Sequence, residues 1–256
     1  MHRRSSFHWL PVLLLVSLGF GCATPSTKQV ELAPELVNLE KARQRQLALE
    51  AQHQHQKRLS DLAYPLLTGA VSLCDEDVAP LLGMHFRNVH YWEDEAWQRA
   101  ARGALGVGDS VQVVAVAEGS PAAEAGLQPG DVLLQVGDHE VEVGEEAMED
   151  LAQWVEEFRK ASPDRLTVRI QRGDSQKEFE LSGIPTACSY PATVVADNSL
   201  NAFANGDAIF VTTGMMRFAE DDELKVVLAH ELAHNAMGHI DAKKQNALVG
   251  GLLGAL

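Results

Sequence analysis

Residues 111–141 read VQVVAVAEGSPAAEAGLQPGDVLLQVGDHEV, and this stretch decides the fold of the middle of the chain. Its first residues fit a half-buried strand, with Val111, Val113 and either Val114 or Val116 on the buried face. A loop, a short helix, a tight turn and a second strand are predicted to follow in that order. This pattern indicates a small β-rich domain.

The short helix and the turn behind it carry clear boundary signals. Ser120 is a suitable N-cap for a helix over Pro121–Ala125, because proline is favoured at the first helical position. Gly126 stands where a left-handed C-cap is required. Gln128–Asp131 then forms a tight turn into a strand over 132–136. Further on, the pattern predicts a helix over 145–160 and strands over 166–171 and 178–181.

GSPAAEAGLQPGD, residues 119–131, resembles the core of a bacterial PDZ domain, and the predicted order of elements agrees. The resemblance covers about 81–181 and implies that an extended peptide, often a chain end, binds at a sheet edge. A spacer or gate is the alternative use of the fold. PDZ domains bind the peptide carboxylate with an apolar-glycine-apolar run. LLGMHF is our candidate, whereas ALGVGD (105–107) lies too close to the strand at 111. The candidate groove residues are Leu82, Gly83, Met84 and Phe86.

A second motif lies near the end of the chain, where residues 230–234 read HELAH. Four residues advance an α-helix by about 400°, so His230 and His234 lie on one face, one turn apart. Two imidazoles in this arrangement can bind one Zn²⁺. Glu231, offset by one residue, can take a proton from zinc-bound water and return it to a leaving amine. The alternative interpretation is an ordinary polar helix face.

The helix that carries this motif has a predicted start and end. We expect it to begin with Asp221 or Asp222 as its cap, with Glu223 in the first turn, where the helix dipole favours acid. We expect it to extend to about Asn246. These bounds put the histidine pair in the middle of the helix.

The residues around the motif resemble the HtpX-like and BepA-like gluzincin metallopeptidases of bacterial membranes and envelopes. NAFANGDAIFVTTGMM and DDELKVVLAHELAHNAMGH carry the resemblance, which covers about 59–74 and 184–256. It implies a third zinc ligand, a glutamate on a later helix. Asp241 and His239 do not fit that role by their spacing, so we expect the ligand beyond residue 256 and a chain that is incomplete at its C-terminus. The resemblance also implies a substrate-binding strand formed by Asn201, Ala202, Phe203 and Ala204.

The first 22 residues have the form of an export signal, with a basic start and an apolar stretch from Trp9 to Phe20. That stretch is too short to span a bilayer. Its ending resembles a bacterial lipoprotein signal, in which Cys22 becomes lipidated. Ala23, in place of an aspartate, favours the outer membrane. We therefore expect a lipid-anchored protein on the periplasmic side of the envelope, with a cleaved signal or an uncleaved anchor as alternatives.

The cysteine count bears on the redox state of the chain. If Cys22 carries lipid, Cys74 and Cys188 remain as a pair in an oxidising compartment. We predict a disulfide between them. Two buried free thiols are the alternative.

Composition limits the possible partners. The formal net charge is −15, from 36 acidic and 21 basic side chains, which argues against nucleic acid because phosphate binding needs a basic face. The expected partners are protein or peptide substrates and, through the lipid anchor, a membrane. The oligomeric state stays open.

Together these features predict an α+β fold in which a helical zincin-type metallopeptidase core is interrupted by a PDZ-like domain. The expected segments are a signal peptide (1–22), a tether (23–34), an N-terminal helical part of the peptidase (35–80), the PDZ-like domain (81–183) and the metallopeptidase core (184–256). The expected function is zinc-dependent cleavage of proteins for quality control in the cell envelope. The alternative is an inactive, lipid-anchored binding or chaperone-like module that retains the fold.

Overall fold

A single long helix, α1 (Pro34–Gly69), contacts both halves of the molecule. The computed structural model describes residues 33–238, so Cys22, the signal segment and everything after 238 lie outside the described residues. α1 begins with a proline in its first turn, a position where the missing N–H costs nothing. Its first turns are exposed, whereas Leu49, Leu59, Leu62 and Leu67 are buried. α1 thus occupies most of the segment 35–80, for which the sequence predicts helical structure.

The remaining elements alternate between strands and helices. The other helices are α2 (Glu95–Leu105), α3 (Pro121–Ala125), α4 (Ala147–Ala161), α5 (Thr213–Phe218) and α6 (Asp221–Ala236). The strands are β1 (Val78–Pro80), β2 (Met84–Arg87), β3 (Gln112–Val116), β4 (Val132–Val136), β5 (His139–Glu140), β6 (Arg165–Arg172), β7 (Ser175–Ser182), β8 (Thr186–Cys188), β9 (Ala192–Val195), β10 (Ala202–Ala204) and β11 (Ile209–Thr212). The fold class is α+β, as predicted.

The middle of the chain forms an antiparallel sheet in the order β2-β3-β4-β6-β7, with β5 paired to β4. Helices α3 and α4 pack on this sheet, and their apolar residues share one core with Val113, Leu133 and Ile170. The predicted boundary signals are confirmed, since Ser120 Oγ accepts a hydrogen bond from the Ala123 N–H at 3.3 Å. Gly126 adopts a left-handed φ of 91° at the end of α3.

Strand β3 differs from its prediction, because both of its faces are buried. Val113 belongs to the core of the sheet, whereas Val114 packs into a second cluster with Leu49 of α1 and Ala101 of α2. The prediction of a half-buried strand was therefore wrong. The second face of β3 is buried by long-range contacts, since α1 and α2 cover the face that a solitary PDZ-like sheet would leave to solvent.

The C-terminal part has its own small sheet, in the order β10-β11-β9, where β9 runs parallel to β11 and β10 antiparallel to it. The second half of α1 and helices α5 and α6 pack around this sheet. They share a core that includes Leu59, Val194, Val211, Leu224 and Leu228. Within residues 33–238, no helix has the combination of length and apolarity needed to cross a membrane.

A disulfide joins Cys74 to Cys188 across 114 residues. Both half-cystines are buried, and β1 pairs with β8 beside them, with Val78 opposite Cys188. The chain therefore leaves α1 and returns to the small sheet at one point, on either side of the PDZ-like segment.

Candidate functional site

The helix that carries HELAH is α6, and its N-terminus is fixed by a capping box. The cap is Glu220, whose backbone N–H donates to Glu223 Oε2 at 2.9 Å while its own side chain accepts from the helix backbone. The prediction of Asp221 or Asp222 as cap was wrong, since both residues already lie inside the first turn. Their acidic side chains there still favour the positive end of the helix dipole.

The same helix ends earlier than predicted. It stops at Ala236, two residues past the motif, and Gly238 adopts a left-handed φ of 62°. The prediction of a continuous helix to about Asn246 is wrong at Met237 and Gly238, because a left-handed glycine terminates the helix; residues 239–246 lie outside the described residues.

His230 and His234 face each other on α6. Their Nε2 atoms are 3.1 Å apart, and the two rings stand nearly perpendicular, at 85°. Two nitrogen ligands at about 2.0–2.1 Å from a tetrahedral zinc are separated by about 3.3 Å. The spacing of the pair thus fits two adjacent ligands of one zinc ion. His230 is exposed and His234 half-buried, so the pair is accessible from solvent.

Glu231 lies between the two histidines in sequence and is half-buried. One residue corresponds to about 100° of helix rotation, which places Glu231 beside the histidine pair and off its face. In the part of the chain that the structure describes, no group of three or more His, Cys, Asp or Glu side chains could hold a metal ion. The described residues therefore offer two ligands and an adjacent carboxylate.

The predicted substrate strand lies next to this helix. Ala202, Phe203 and Ala204 form β10, which is the edge strand of the small sheet, and α6 packs against it. Phe203 is exposed and stacks on Phe210 with ring centroids 5.0 Å apart. Asn201 precedes the strand, and its N–H donates to Thr212 Oγ1 at 3.2 Å. One side of β10 pairs with β11, and within residues 33–238 no strand pairs with its other side.

Asn235 is a functional candidate that the sequence reasoning missed. Its side chain is buried, accepts from the Gly206 N–H at 2.9 Å and donates to the Ala208 carbonyl at 3.1 Å. It follows His234 directly, so it fixes the histidine pair relative to the β10–β11 hairpin. The sequence does carry a signal for it. Leu224, Leu228 and Leu232 form the helix face that packs on the core, and Asn235 is a polar residue on that same face.

The predicted PDZ groove residues line one cavity of about 260 Å³. Leu82, Gly83, Met84 and Phe86 form one wall, at the edge strand β2, and Trp154 and Phe158 of α4 lie in another. The competing run ALGVGD lies elsewhere, because Gly106 caps α2 and Leu105 and Val107 pack with the α1–α2 cluster.

The wall of this groove also includes residues from outside the PDZ-like segment. Leu67 of α1 and residues 188–191, which lead into β9, line the same cavity. Tyr190 in this stretch is buried, and its hydroxyl donates to Asp77 Oδ2 at 2.7 Å. A ligand in the groove would therefore contact both parts of the molecule.

A buried polar contact joins the two parts on the opposite face of β2. His85 lies at a β-bulge, and its Nε2 is 2.8 Å from Ser60 Oγ of α1. The Ser60 hydroxyl also donates to the Gln56 carbonyl at 2.8 Å. Burial, together with the positive charge of Arg87 and the nearby His53, lowers the pKa of His85 from 6.5 to about 4. The ring is thus neutral at neutral pH, as a buried contact of this kind requires.

Two family models match adjacent segments of the chain. Residues 112–172 match a PDZ domain, and residues 173–251 match Peptidase family M48. The second segment contains the histidine pair, Glu231 and β10. The chain thus carries two adjacent segments, one similar to a PDZ domain and one similar to Peptidase family M48. Among curated proteins, none matches this chain.

Solved structures resemble the PDZ part. The HtrA3 PDZ domain bound to the phage-derived ligand FGRWV is 18% identical, covers 43% of this chain and 89% of its own, and gives a TM-score of 0.31. The HtrA-type protease AlgW with a decapeptide is 19% identical over 44% of this chain and only 30% of its own length, with a TM-score of 0.31. The PDZ domain of EpsC from Vibrio cholerae is 15% identical over 28% of this chain and 64% of its own, with a TM-score of 0.23. At these identities the likeness concerns the fold alone.

Proposed function

We propose that this chain is a zinc-dependent endopeptidase of HtpX-like or BepA-like type that cleaves proteins in the bacterial cell envelope. The observation that carries the proposal is the 3.1 Å approach of His230 Nε2 and His234 Nε2 beside an edge strand, within the segment that matches Peptidase family M48. Cys22 is the proposed lipid anchor, on the periplasmic side of the outer membrane. The proposed role is protein quality control.

His230 and His234 would hold the metal, together with a third ligand that is not among the described residues. A zinc ion bound there would lower the pKa of a coordinated water to about 7. Glu231 is the proposed general base, since its position beside the pair leaves its carboxylate free of the ligand set. Its carboxylate accepts a proton from the attacking water and returns it to the leaving amine nitrogen.

β10 is the proposed binding strand for the substrate backbone. A peptide that pairs with its open edge satisfies its own backbone groups and lies next to α6. The exposed Phe203 ring offers an apolar contact to a substrate side chain. Such pairing holds the scissile carbonyl in place, which lowers the entropic part of the reaction barrier.

The PDZ-like groove is proposed to recognise or gate the substrate. The HtrA3 PDZ domain and AlgW hold peptides in their solved structures, and the groove here has the apolar wall and edge strand that an extended peptide needs. Its second wall, at residues 188–191, leads directly into β9 of the small sheet. Peptide binding would therefore take place next to the peptidase part.

A non-catalytic envelope module is the second candidate. The observation that favours it is the ligand count, because the described residues supply two metal-binding side chains where a zinc peptidase needs three. In this case the groove and β10 would bind unfolded segments without cleaving them.

The test is cleavage of casein by the purified chain, alongside Glu231→Gln. We expect the variant to lose at least about a hundredfold in rate, since general base catalysis contributes that much or more, while it still binds zinc. Asp222→Asn, an exposed carboxylate on the same helix, is the matched control and should cleave normally. A zinc-bound chain that cleaves no better than Glu231→Gln would support the non-catalytic candidate instead.

A further inference from the structure

We propose that the groove between α1 and α2 binds phosphate groups of anionic membrane lipids. The proposal relies on the envelope location proposed above but is independent of the peptidase chemistry. It is separate from the PDZ-like groove and from the histidine pair, and it assigns a function to the first third of α1.

The groove has a volume of about 560 Å³, and the charged side chains that line it are all positive. Lys41 and Arg45 of α1 and Arg99 of α2 line it together with the amides of Asn38 and Gln46. The remaining lining residues are alanines, and no carboxylate of the described part of the chain lines the groove. Three cations and two amides form a donor set suited to an oxyanion.

These cations keep their charge available. Among the described residues, neither Lys41 nor Arg45 forms an ion pair, and the Arg45 guanidinium lies 5.9 Å from the ring centre of Trp97. Arg99 contacts Glu95 at 3.5 Å, but both side chains are largely exposed, so this contact is weak. Lys41 and Arg45 are four residues apart, a spacing at which like charges destabilise a helix. An anion in the groove would relieve this repulsion.

The position of the groove in the chain identifies the source of the anion. Its α1 residues lie in the first turns of the helix, which begins at Pro34. Eleven residues lie between Cys22 and Pro34, and a segment of that length reaches at most about 40 Å. A membrane that holds Cys22 would therefore be within reach of the groove.

A membrane lipid fits this groove better than an acidic protein does. Protein interfaces depend on a few large apolar or aromatic anchors, and the apolar side chains that line this groove are alanines. A bilayer surface instead presents many phosphates at once. Free phosphate has the same chemistry, so the experiment separates the two sources.

The test is co-sedimentation of the full chain, with Cys22→Ser to prevent lipidation, with two kinds of vesicle. One kind is pure phosphatidylcholine, and the other contains about 30% phosphatidylglycerol. The difference in the fraction of chain bound to the two kinds of vesicle measures binding to anionic lipid, because the apolar N-terminal stretch contributes equally to both. We expect Arg45→Gln to weaken the anionic component about fivefold and Lys41→Gln with Arg45→Gln about 25-fold, because each cation near an anionic surface contributes a similar factor.

Arg43→Gln is the matched control, since it removes the same charge from the same helix. Two residues place Arg43 about 200° around α1 from Arg45, away from the groove. We expect Arg43→Gln to weaken binding to anionic vesicles less than twofold.

The proposal would be overturned if Arg43→Gln and Arg45→Gln lost binding equally, or if the chain showed no preference for anionic vesicles. If millimolar inorganic phosphate released the chain fully from the vesicles, a membrane lipid would be ruled out as the source of the anion. If only an acidic peptide released it, the groove would instead bind a protein partner. The assay involves neither zinc nor cleavage, so its failure is separable from failure of the proposed peptidase.

Discussion

Asn235 Oδ1 accepts a hydrogen bond from the Gly206 N–H at 2.9 Å, and this contact ties the HELAH helix to the hairpin beyond β10. The same side chain donates to the Ala208 carbonyl. One amide thus links both proposed components of the site, the histidine pair and the substrate strand. Helix α6 and β10 therefore behave as one unit around His234.

Removing this link should destabilise the protein. Asn235→Ala leaves the N–H of Gly206 and the carbonyl of Ala208 without their partner, so we expect a loss of about 2–3 kcal/mol in the free energy of unfolding. Asn235→Asp keeps the acceptor and should lose less. Urea unfolding measures both variants, and equal stability of Asn235→Ala and wild type would contradict the linking role.

The buried His85 should make stability depend on pH. Its folded pKa of about 4 lies below the usual 6.5, so its contribution is fully present above pH 6.5 and is lost as pH falls towards 4. Because the ring keeps some contact with solvent, we expect a loss of about 2 kcal/mol over this range. The charged and titratable groups around it are Arg87 and His53.

The check for His85 is urea unfolding at pH 7 and pH 4.5. His85→Gln should reduce the acid-induced loss of stability, whereas His139→Gln on β5 should leave that loss in place. An unchanged acid dependence in His85→Gln would assign the effect to other groups.

Gly83 should tolerate no side chain. A Cβ built at this position lies 2.1 Å from the Cβ of Ser120, and the backbone φ is 73°. We expect Gly83→Ala to cost about 3 kcal/mol, since overpacking adds to the cost of a left-handed alanine. Gly106→Ala has a similar φ of 67° and open space around it, so it should cost only about 1 kcal/mol. Similar melting temperatures for the two variants would argue against the close packing of β2 on α3.

The disulfide should contribute substantially to stability. It closes a loop of 114 residues, for which the restriction of the unfolded chain corresponds to about 5 kcal/mol. We expect reductant to lower the urea midpoint of the wild type and to leave the Cys74→Ala, Cys188→Ala double variant unchanged. A reduced wild type with an unaltered midpoint would mean that the packing of β1 against β8 suffices.

Sequence reasoning succeeded where the physical cause is local. Ser120 and Gly126 bound α3 as predicted, because capping depends on neighbouring residues alone. The helical face shared by His230 and His234 follows from a spacing of four residues. The resemblance of the middle segment to PDZ domains predicted a groove at Leu82, Gly83, Met84 and Phe86, and these residues line one cavity. Peptide binding in that cavity stays a prediction.

The failures have long-range causes. Val114 is buried because α1, which is distant in sequence, covers β3, and no pattern within the strand encodes that contact. Asn235 matters through backbone groups of a hairpin that precedes it by nearly 30 residues. The end of α6 at Ala236 is an exception, because its cause is local: the left-handed Gly238 follows two residues later, and the predicted helix extended through it.

The most direct test of the central claim is zinc stoichiometry on the purified chain, beside His230→Ala and a His90→Ala control. His90 is a histidine outside the proposed site, where it pairs with Asp109. The account predicts about one zinc per chain in the wild type and in His90→Ala, and its loss in His230→Ala. A wild type that binds no more zinc than His230→Ala would contradict a metal site on α6.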